Sequence, residues 1–312
     1  MIKEVAIEPE VMATWQHFRD LWDNLGASRG RLVAEYPANW REIVCKRAYE
    51  ISSVKALKIT VRLKPSPGQG GVKRWISTKR NYDKGKDWLN NAEKYARPDD
   101  FAAIVAIKNP RAKNDVLIAG EFDKESNPWA TATQTEISRT AGNLAGCAHL
   151  LLQASNELIL VEPNFDANEP RFQDSFEALV HCRETGRPWN RLELHVKFPT
   201  DRDGKYFSGA LPNRILGMAH HLAPLLPAGN RLTVFFWQRN PSGKKLHPRF
   251  ILTELGGLQP DYGLDEGDAV GDTMIVGLMD ETVWQSIRGD FCGTSQTFKG
   301  DPAWRTDIAG TK

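Results

Sequence analysis

The sequence has few cysteines, no long hydrophobic run and almost no net charge. Its four cysteines, Cys45, Cys147, Cys182 and Cys292, form no Cys-x-x-Cys pair, which disfavours a zinc knuckle or a redox dithiol and favours reduced thiols. No apolar run approaches the roughly 18 residues that a membrane span needs, and the first residues lack the charged-then-apolar order of a signal peptide. We therefore expect a cytoplasmic protein with no membrane partner, no metal site and no cofactor.

The near-zero net charge hides an uneven distribution along the chain. The total is +2, yet the first 100 residues hold 19 Lys or Arg against 13 Asp or Glu. Residues 41–86 hold 13 basic and three acidic residues, whereas residues 261–281 hold seven acidic residues and no basic one. Clustered cations replace the counterions that condense on phosphate, so the basic region predicts a polyanion contact. The acidic run is expected to be a solvated loop.

The basic region is predicted to form a hairpin. Residues 56–63 alternate between apolar and polar side chains, so Lys58, Thr60 and Arg62 are expected to share one face of a strand. A Pro/Gly-rich turn over residues 64–71 would lead into a second strand over residues 72–77. Aromatic residues between the cations suit base stacking, although a solvated cationic face without a ligand is the alternative. The residues predicted to bind nucleic acid are Lys46, Arg47, Lys58, Arg62, Lys73, Arg74, Lys79 and Arg80.

The remaining apolar pattern predicts an α/β protein of two domains. The spacing predicts helices over 5–25, 40–49, 135–155, 172–182 and 212–226, and strands over 101–107, 116–122, 158–161, 191–196 and 232–237. In the second half, strands alternate with helices, which is typical of a sheet covered on both faces. We predict a smaller basic α+β domain over residues 1–138, followed by an α/β/α layered domain over residues 139–312. The tail after Asp301 is expected to be weakly ordered.

Residues 246–257 carry the pattern that most suggests chemistry. His247 and Arg249 are two positions apart, so on an extended chain they project from the same face, and Glu254 follows before a Gly-Gly pair. A histidine beside a fixed cation, with a carboxylate to orient its ring, suits attack on a phosphodiester. His247 is then the candidate nucleophile or acid, Arg249 the phosphate clamp and Glu254 the orienting carboxylate.

This segment resembles the phospholipase D superfamily, whose signature is His-x-Lys, four residues, Asp and a Gly/Ser segment. Arg249 stands where the family has Lys, and Glu254 stands where it has Asp. With residues 158–166, Thr253 and residues 263–265, the sequence is most similar to the phospholipase D-like domain at the C-terminus of MIT-domain proteins and to bacterial relatives in conflict systems. The resemblance covers roughly residues 150–312 and implies a phospholipase D-like fold there.

The resemblance implies a phosphohistidine mechanism in which a second histidine protonates the leaving group. His195 and Lys197 supply a second His-x-Lys, but His195 lies only 52 residues before His247, too close for a duplicated domain. The chain therefore either pairs two His247 side chains across a homodimer axis or binds without cutting.

The sequence thus predicts a metal-independent phosphodiesterase or nuclease of a prokaryotic defence or mobile-element system. The alternative is a non-catalytic phospholipase D-like adaptor that binds nucleic acid or a partner protein. Action on phospholipid head groups is the third and least favoured alternative.

Overall fold

The computed structural model describes residues 1–64, 72–95, 101–183, 186–199, 208–237, 246–292 and 305–312, which form two compact units. The first unit is Met1–Thr133 and the second is Gln134–Lys312. The units therefore divide slightly before the predicted boundary at residue 138, because the strand Gln134–Ser138 pairs within the sheet of the second unit.

A parallel sheet forms the centre of the first unit. Its strands lie in the order β3-β2-β1-β4-β5, and each neighbouring pair is parallel. The strands are β1 (Lys3–Ile7), β2 (Arg31–Glu35), β3 (Trp75–Ser77), β4 (Ala103–Ala106) and β5 (Val116–Ile118). Parallel pairing requires long crossovers between strands, and helices supply much of their length here. The predicted α+β class is therefore wrong for this unit, which is α/β.

Helices and loops cover both faces of this sheet. The helices are α1 (Pro9–Ala13), α2 (Trp15–Trp22), α3 (Trp40–Ile51), α4 (Ser53–Leu63) and α5 (Trp88–Ala92). Val5 and Ile7 of β1 join the buried core formed with α1 to α4, whereas Ala6 joins a second core with Trp88 and Leu89. Successive residues of a strand point to opposite faces, so β1 contributes to both cores.

The predicted helix over residues 5–25 and the predicted hairpin over residues 56–77 are both wrong. The predicted helix over residues 5–25 begins only at Pro9, since residues 3–7 form the central strand. Residues 56–63 belong to helix α4, in which Ala56, Ile59 and Leu63 are buried at helical spacing. The predicted hairpin does not form, because β3 pairs in parallel with β2. Of the predicted turn, residues 65–71 lie outside the described residues.

The second unit is built on a mixed sheet of order β13-β9-β8-β7-β10-β11-β12-β6. The pairs β7–β8 and β8–β9 are parallel and the other pairs are antiparallel. The strands are β6 (Gln134–Ser138), β7 (Glu157–Val161), β8 (Arg191–Lys197), β9 (Arg231–Trp237), β10 (Phe250–Leu252), β11 (Gly257–Pro260), β12 (Thr273–Leu278) and β13 (Arg305–Ala309). Both units therefore confirm the α/β class.

The helices of the second unit are α6 (Ala141–Ala154), α7 (Pro170–Val180), α8 (Leu211–Leu222) and α9 (Glu281–Phe291). Strands β7 and β8 are buried along most of their length, so both faces of the sheet are covered there. The tail differs from expectation, because residues 305–309 form strand β13 along β9. Residues 301–304 of that tail lie outside the described residues.

Candidate functional site

A polar pocket of about 550 Å³ lies at one edge of the sheet in the second unit. The carboxyl end of β7, the start of β10 and the end of β11 meet at this edge, because β10 runs antiparallel to both neighbours. Arg139 enters from the turn between β6 and α6, and Arg171 enters from the first turn of α7. The lining residues are Arg139, Glu162, Asn164, Asp166, Glu169, Arg171, Phe172, Arg249, Asp261, Tyr262, Gly263 and Asp265.

Glu162 is the buried carboxylate of the pocket. It directly follows the apolar strand β7 and is only 1% exposed. The backbone N–H groups of Asn164 and Leu264 donate to its two oxygens at 3.0 and 2.9 Å. Burial raises the pKa of Glu162, against the opposing effect of these two donors and of Arg249.

Arg249 is the arginine of the pocket whose donors are least used. Its Nε lies 3.7 Å from Oε1 of Glu162, which is an ion pair but too long for a hydrogen bond. That Nε is buried and has no hydrogen-bond partner among the described residues. A buried N–H donor without an acceptor is costly, so the Nε of Arg249 is available to an acceptor from a ligand.

The other two arginines are already held by a carboxylate. Asp265 is buried and pairs with Arg139 at 2.5 Å and with Arg171 at 3.2 Å. Gly263 allows this arrangement, since a Cβ at that position would lie 2.0 Å from Oδ1 of Asp265. Asp268 also pairs with Arg171, at 2.9 Å. These pairs tie the acidic turn to α6 and α7, so the expectation of a solvated acidic loop is wrong for Asp265, whereas Asp261 and Asp268 are exposed.

The pocket as a whole carries more negative than positive charge. Its lining has five carboxyl groups against three guanidinium groups. Asp261 and Glu169 are exposed at its rim, as is Tyr262, whose side chain is 55% exposed. The pocket therefore combines the half-buried cation of Arg249 with an acidic rim and an aromatic ring.

Of the predicted catalytic residues, the pocket lining described here includes Arg249 alone. His247 is exposed and precedes β10 at the same sheet edge. Lys197 is exposed at the end of β8. Glu254 lies beyond the far end of β10, where its carboxylate accepts hydrogen bonds from the backbone N–H groups of Asn156 and Glu157 at 2.6 and 3.1 Å. Strand β10 separates Glu254 from His247, so this position does not fit an orienting carboxylate.

His195 is enclosed by other side chains of the second unit and does not face the pocket. It is fully buried, and Nε1 of Trp237 donates to its Nδ1 at 2.9 Å. The ring hydrogen is then on Nε2, which donates to Glu193 at 3.1 Å. Phe235 and Trp237 stack on the ring, and burial lowers the pKa of His195 against the opposing effect of Glu193.

The residues predicted to bind nucleic acid do not form one strand face. Lys46 and Arg47 lie on α3, and Lys58 and Arg62 lie on α4; all four are exposed. Arg47 is paired with Glu10 and Glu50 at 3.4 and 2.9 Å.

The second half of the predicted basic surface lies around β3 and is partly turned inward. Arg80 forms a two-bond pair with Glu4 at 2.6 and 2.9 Å, and Arg74 donates to the backbone oxygen of Leu25 at 2.8 Å. Lys73 is half-buried and Lys79 is exposed. The positive charge that sequence counting assigns to this segment is therefore partly used inside the first unit.

Sequence reasoning missed Glu162, Arg139 and Arg171 as pocket residues. The signal for Glu162 was a carboxylate placed directly after the apolar run of residues 158–161, at the carboxyl end of a strand, where such sheets present functional groups. Arg139 and Arg171 carry no comparable signal, since they reach the pocket from the turn before α6 and from the first turn of α7. Among the described residues, no group of three or more His, Cys, Asp or Glu is arranged to hold a metal ion.

Comparisons with known proteins add little to this geometry. No protein-family model matches the chain, and no curated protein shows a significant match. Similar solved structures include that of TrmBL2, described as an archaeal chromatin protein with a novel mode of DNA binding; it is 13% identical, and the alignment covers 52% of this chain and 51% of that chain with a TM-score of 0.25. The chain thus matches about half the length of that protein, and at this TM-score the likeness carries no argument. In the part of the chain that the structure describes, no helix is long and apolar enough to cross a membrane.

Proposed function

We propose that the second unit is a phospholipase D-like binding domain that holds a single phosphate group on Arg249 without cleaving it. The observation that carries the proposal is the half-buried side chain of Arg249, which lines the pocket and whose buried Nε has no hydrogen-bond partner among the described residues. A phosphate oxygen would supply the missing acceptor, and arginine presents a planar fork of donors that suits phosphate.

The acidic rim favours one phosphate over a continuous phosphate backbone. A tract of phosphates would bring several negative charges close to the pocket's carboxylates, including Glu169 and Asp261, whereas a single phosphate held by Arg249 brings fewer. The exposed ring of Tyr262 offers a stacking surface for a base. A nucleotide or the phosphorylated end of a nucleic acid therefore fits the pocket best.

Binding without cleavage fits the positions of the histidines. Of the two predicted catalytic histidines, His195 is buried and hydrogen-bonded to Trp237 and Glu193, so a mechanism within one chain would leave His247 to serve as both nucleophile and acid. Non-catalytic binding is the function that this arrangement supports best. A phosphodiesterase acting through paired His247 side chains of a homodimer is the second candidate, favoured by the exposure of His247 two residues before Arg249.

The binding proposal is tested with fluorescent oligonucleotides that differ only in a 5′ phosphate, and with a mononucleotide in competition. We expect the phosphorylated end to bind more tightly, and Arg249→Gln to weaken its binding about tenfold or more, since hydrogen bonds to charged groups contribute about 1.5–3 kcal/mol. Arg231→Gln is the matched control, because that guanidinium is 73% exposed and pairs only on the surface with Asp307. Equal binding by the Arg249→Gln and parent proteins would disprove the assignment.

The same substrates distinguish binding from cleavage. In the presence of a chelator, we expect the oligonucleotides to remain intact after prolonged incubation with the parent protein. Cleavage that disappears in His247→Ala would establish the phosphodiesterase and exclude the non-catalytic proposal. A role in prokaryotic defence or in a mobile element, and assembly as a homodimer, remain predictions of the resemblance.

A further inference from the structure

Helix α4 exposes an unusual number of aliphatic side chains. Val54, Leu57 and Val61 are 72%, 58% and 51% exposed. Their spacing of three and four residues places them in one stripe along the helix. The opposite side of α4, with Ala56 and Ile59, is buried in the core of the first unit, so the exposed stripe is not needed to hold the helix in place.

The last turn of α3, which directly precedes α4, exposes two more apolar side chains. Tyr49 and Ile51 there are 49% and 63% exposed. Monomeric proteins rarely expose contiguous apolar surface of this kind unless a partner covers it. We call the surface formed by Tyr49, Ile51, Val54, Leu57 and Val61 the α4 stripe.

Cations lie along one side of the α4 stripe. Lys55, Lys58 and Arg62 are exposed on the same helix, and α4 has no acidic residue. Lys58 and Arg62 lie over the ring of Trp15, 5.5 and 5.6 Å from its centre, which holds them beside the stripe. Within the described residues, none of these three cations pairs with a carboxylate. The exposed surface of α4 is therefore divided lengthwise into an apolar half and a cationic half.

We propose that the α4 stripe and its cations form a docking surface for an amphipathic helix of a partner protein, with acidic residues beside an apolar stripe. An apolar stripe at helical spacing is the surface on which such a helix packs, and its acidic side would face Lys55, Lys58 and Arg62. A second copy of this chain fits poorly, because two cationic surfaces would repel each other. Nucleic acid also fits poorly, because aliphatic side chains neither stack on bases nor donate hydrogen bonds to phosphate. This proposal rests on the first unit alone and is independent of the pocket around Arg249.

The probe is a displayed library of helical peptides of about 14 residues, or four turns. Each peptide has a fixed Leu/Ala stripe, and the positions beside the stripe vary among Glu, Gln and Lys. Selection against the full-length protein should enrich Glu over Lys beside the stripe by about tenfold or more. Equal enrichment of Lys or Gln, or no enrichment over an unrelated protein, would overturn the proposal.

Two variants test the two halves of the surface with the best selected peptide. The double variant Leu57→Ser with Val61→Ser should bind the selected peptide about tenfold more weakly. The triple variant Lys55→Glu, Lys58→Glu and Arg62→Glu should also bind that peptide more weakly, and it should instead bind the same peptide with Lys in place of Glu. Val270→Ser, which removes an exposed valine of the second unit, should bind the peptide like the parent. Far-ultraviolet circular dichroism confirms that each variant is folded. Failure of the charge reversal to switch the preferred peptide would overturn the proposal.

Duplex DNA and vesicles with anionic lipid provide the competing outcomes. We expect the Leu57→Ser, Val61→Ser variant to bind DNA and vesicles with the same affinity as the parent protein. A loss of about tenfold for DNA or for vesicles in that variant would assign the surface to that ligand and overturn the protein-partner assignment.

Discussion

His195 was predicted as a catalytic residue, but in the structure it belongs to a buried hydrogen-bond network. Its two ring nitrogens are used by Trp237 and Glu193, and Glu193 also receives two hydrogen bonds from Arg191, at 2.8 and 2.9 Å. On strand β8 these residues alternate with apolar ones, so Arg191, Glu193 and His195 share one face. The network satisfies its members inside the fold, which explains why a histidine is tolerated at full burial.

The pH dependence of stability follows from this burial. The unfolded chain takes up a proton on His195 near pH 6.5, whereas burial lowers the pKa of the folded side chain below 6.5. The unfolded state therefore binds more protons as the pH falls from 6.5, and the free energy of unfolding decreases by up to about 1.4 kcal/mol per pH unit. Urea unfolding from pH 7.5 to 5.5 measures this slope. The slope should be smaller in His195→Gln, and an unchanged slope would show that His195 does not titrate as described.

The sequence indicated which residue types could form a site, but not which of those residues lie close together in the folded protein. The His247–Arg249 spacing drew attention to Arg249, which lines the pocket, yet the same pattern placed Glu254 beside His247, whereas the structure puts it beyond the other end of β10. A spacing of five residues permits contact in a turn, but β10 keeps the chain extended between Arg249 and Glu254. Only the strand pairing determines which end of β10 meets Glu162.

At the scale of elements, α4 shows why alternation alone misleads. Apolar residues at positions 57, 59, 61 and 63 satisfy the two-residue period of a strand. Ala56, Ile59 and Leu63 also satisfy the helical period, and Ala, Leu and Lys favour helix. In the structure residues 53–63 form a helix within the crossover from β2 to β3. The exposed aliphatic residues of α4 made the strand pattern look stronger than it is.

Substitution of alanine for two glycines, Gly146 and Gly257, is expected to change the stability in opposite directions. Gly146 lies in the middle of α6, and a Cβ there would meet no atom within 4 Å. Gly146→Ala should therefore raise the free energy of unfolding by roughly 0.5–1 kcal/mol, because alanine loses less entropy in a helix.

Gly257 provides the matched comparison. At the start of β11, its Cβ would lie 2.7 Å from Sδ of Met279 and 3.0 Å from Trp284. Gly257→Ala should lower the stability by about 1–3 kcal/mol, as overpacking does in other cores. Thermal unfolding of both variants checks the pair, and a destabilised Gly146→Ala would contradict the open surface described for α6.

At the scale of the whole molecule, the division into two units predicts where the chain can be cut. Strand β6 pairs with β12 over five residue pairs, Thr273–Ser138 to Gly277–Gln134. A fragment that starts at Gln134 keeps this edge strand, whereas one that starts at residue 139 loses it. We expect the longer fragment to unfold cooperatively at a higher temperature than the shorter one, as followed by circular dichroism. Equal midpoints would show that β6 contributes nothing to the sheet.

The two-unit organisation and the α/β class were predictable, because apolar periodicity and element alternation report them directly. The parallel order of the first sheet was not predictable, since pairing depends on crossovers that bring β1 between β2 and β4. Of the pocket residues, Arg249 was a predicted site residue, whereas Glu162 was not singled out although it directly follows an apolar run in the sequence. Their meeting required the antiparallel register of β10 against β7, which no local pattern contains.

Strands β6 and β13 lie at the two outer edges of the larger sheet, one at each side. Each covers a row of backbone groups that would otherwise be open to a neighbouring chain. Removal of residues 305–312 would leave β9, with its run of Val, Phe and Trp, as an unprotected edge. Loss of β13 is thus expected to favour edge-to-edge aggregation through β9, even where the pocket around Arg249 remains intact.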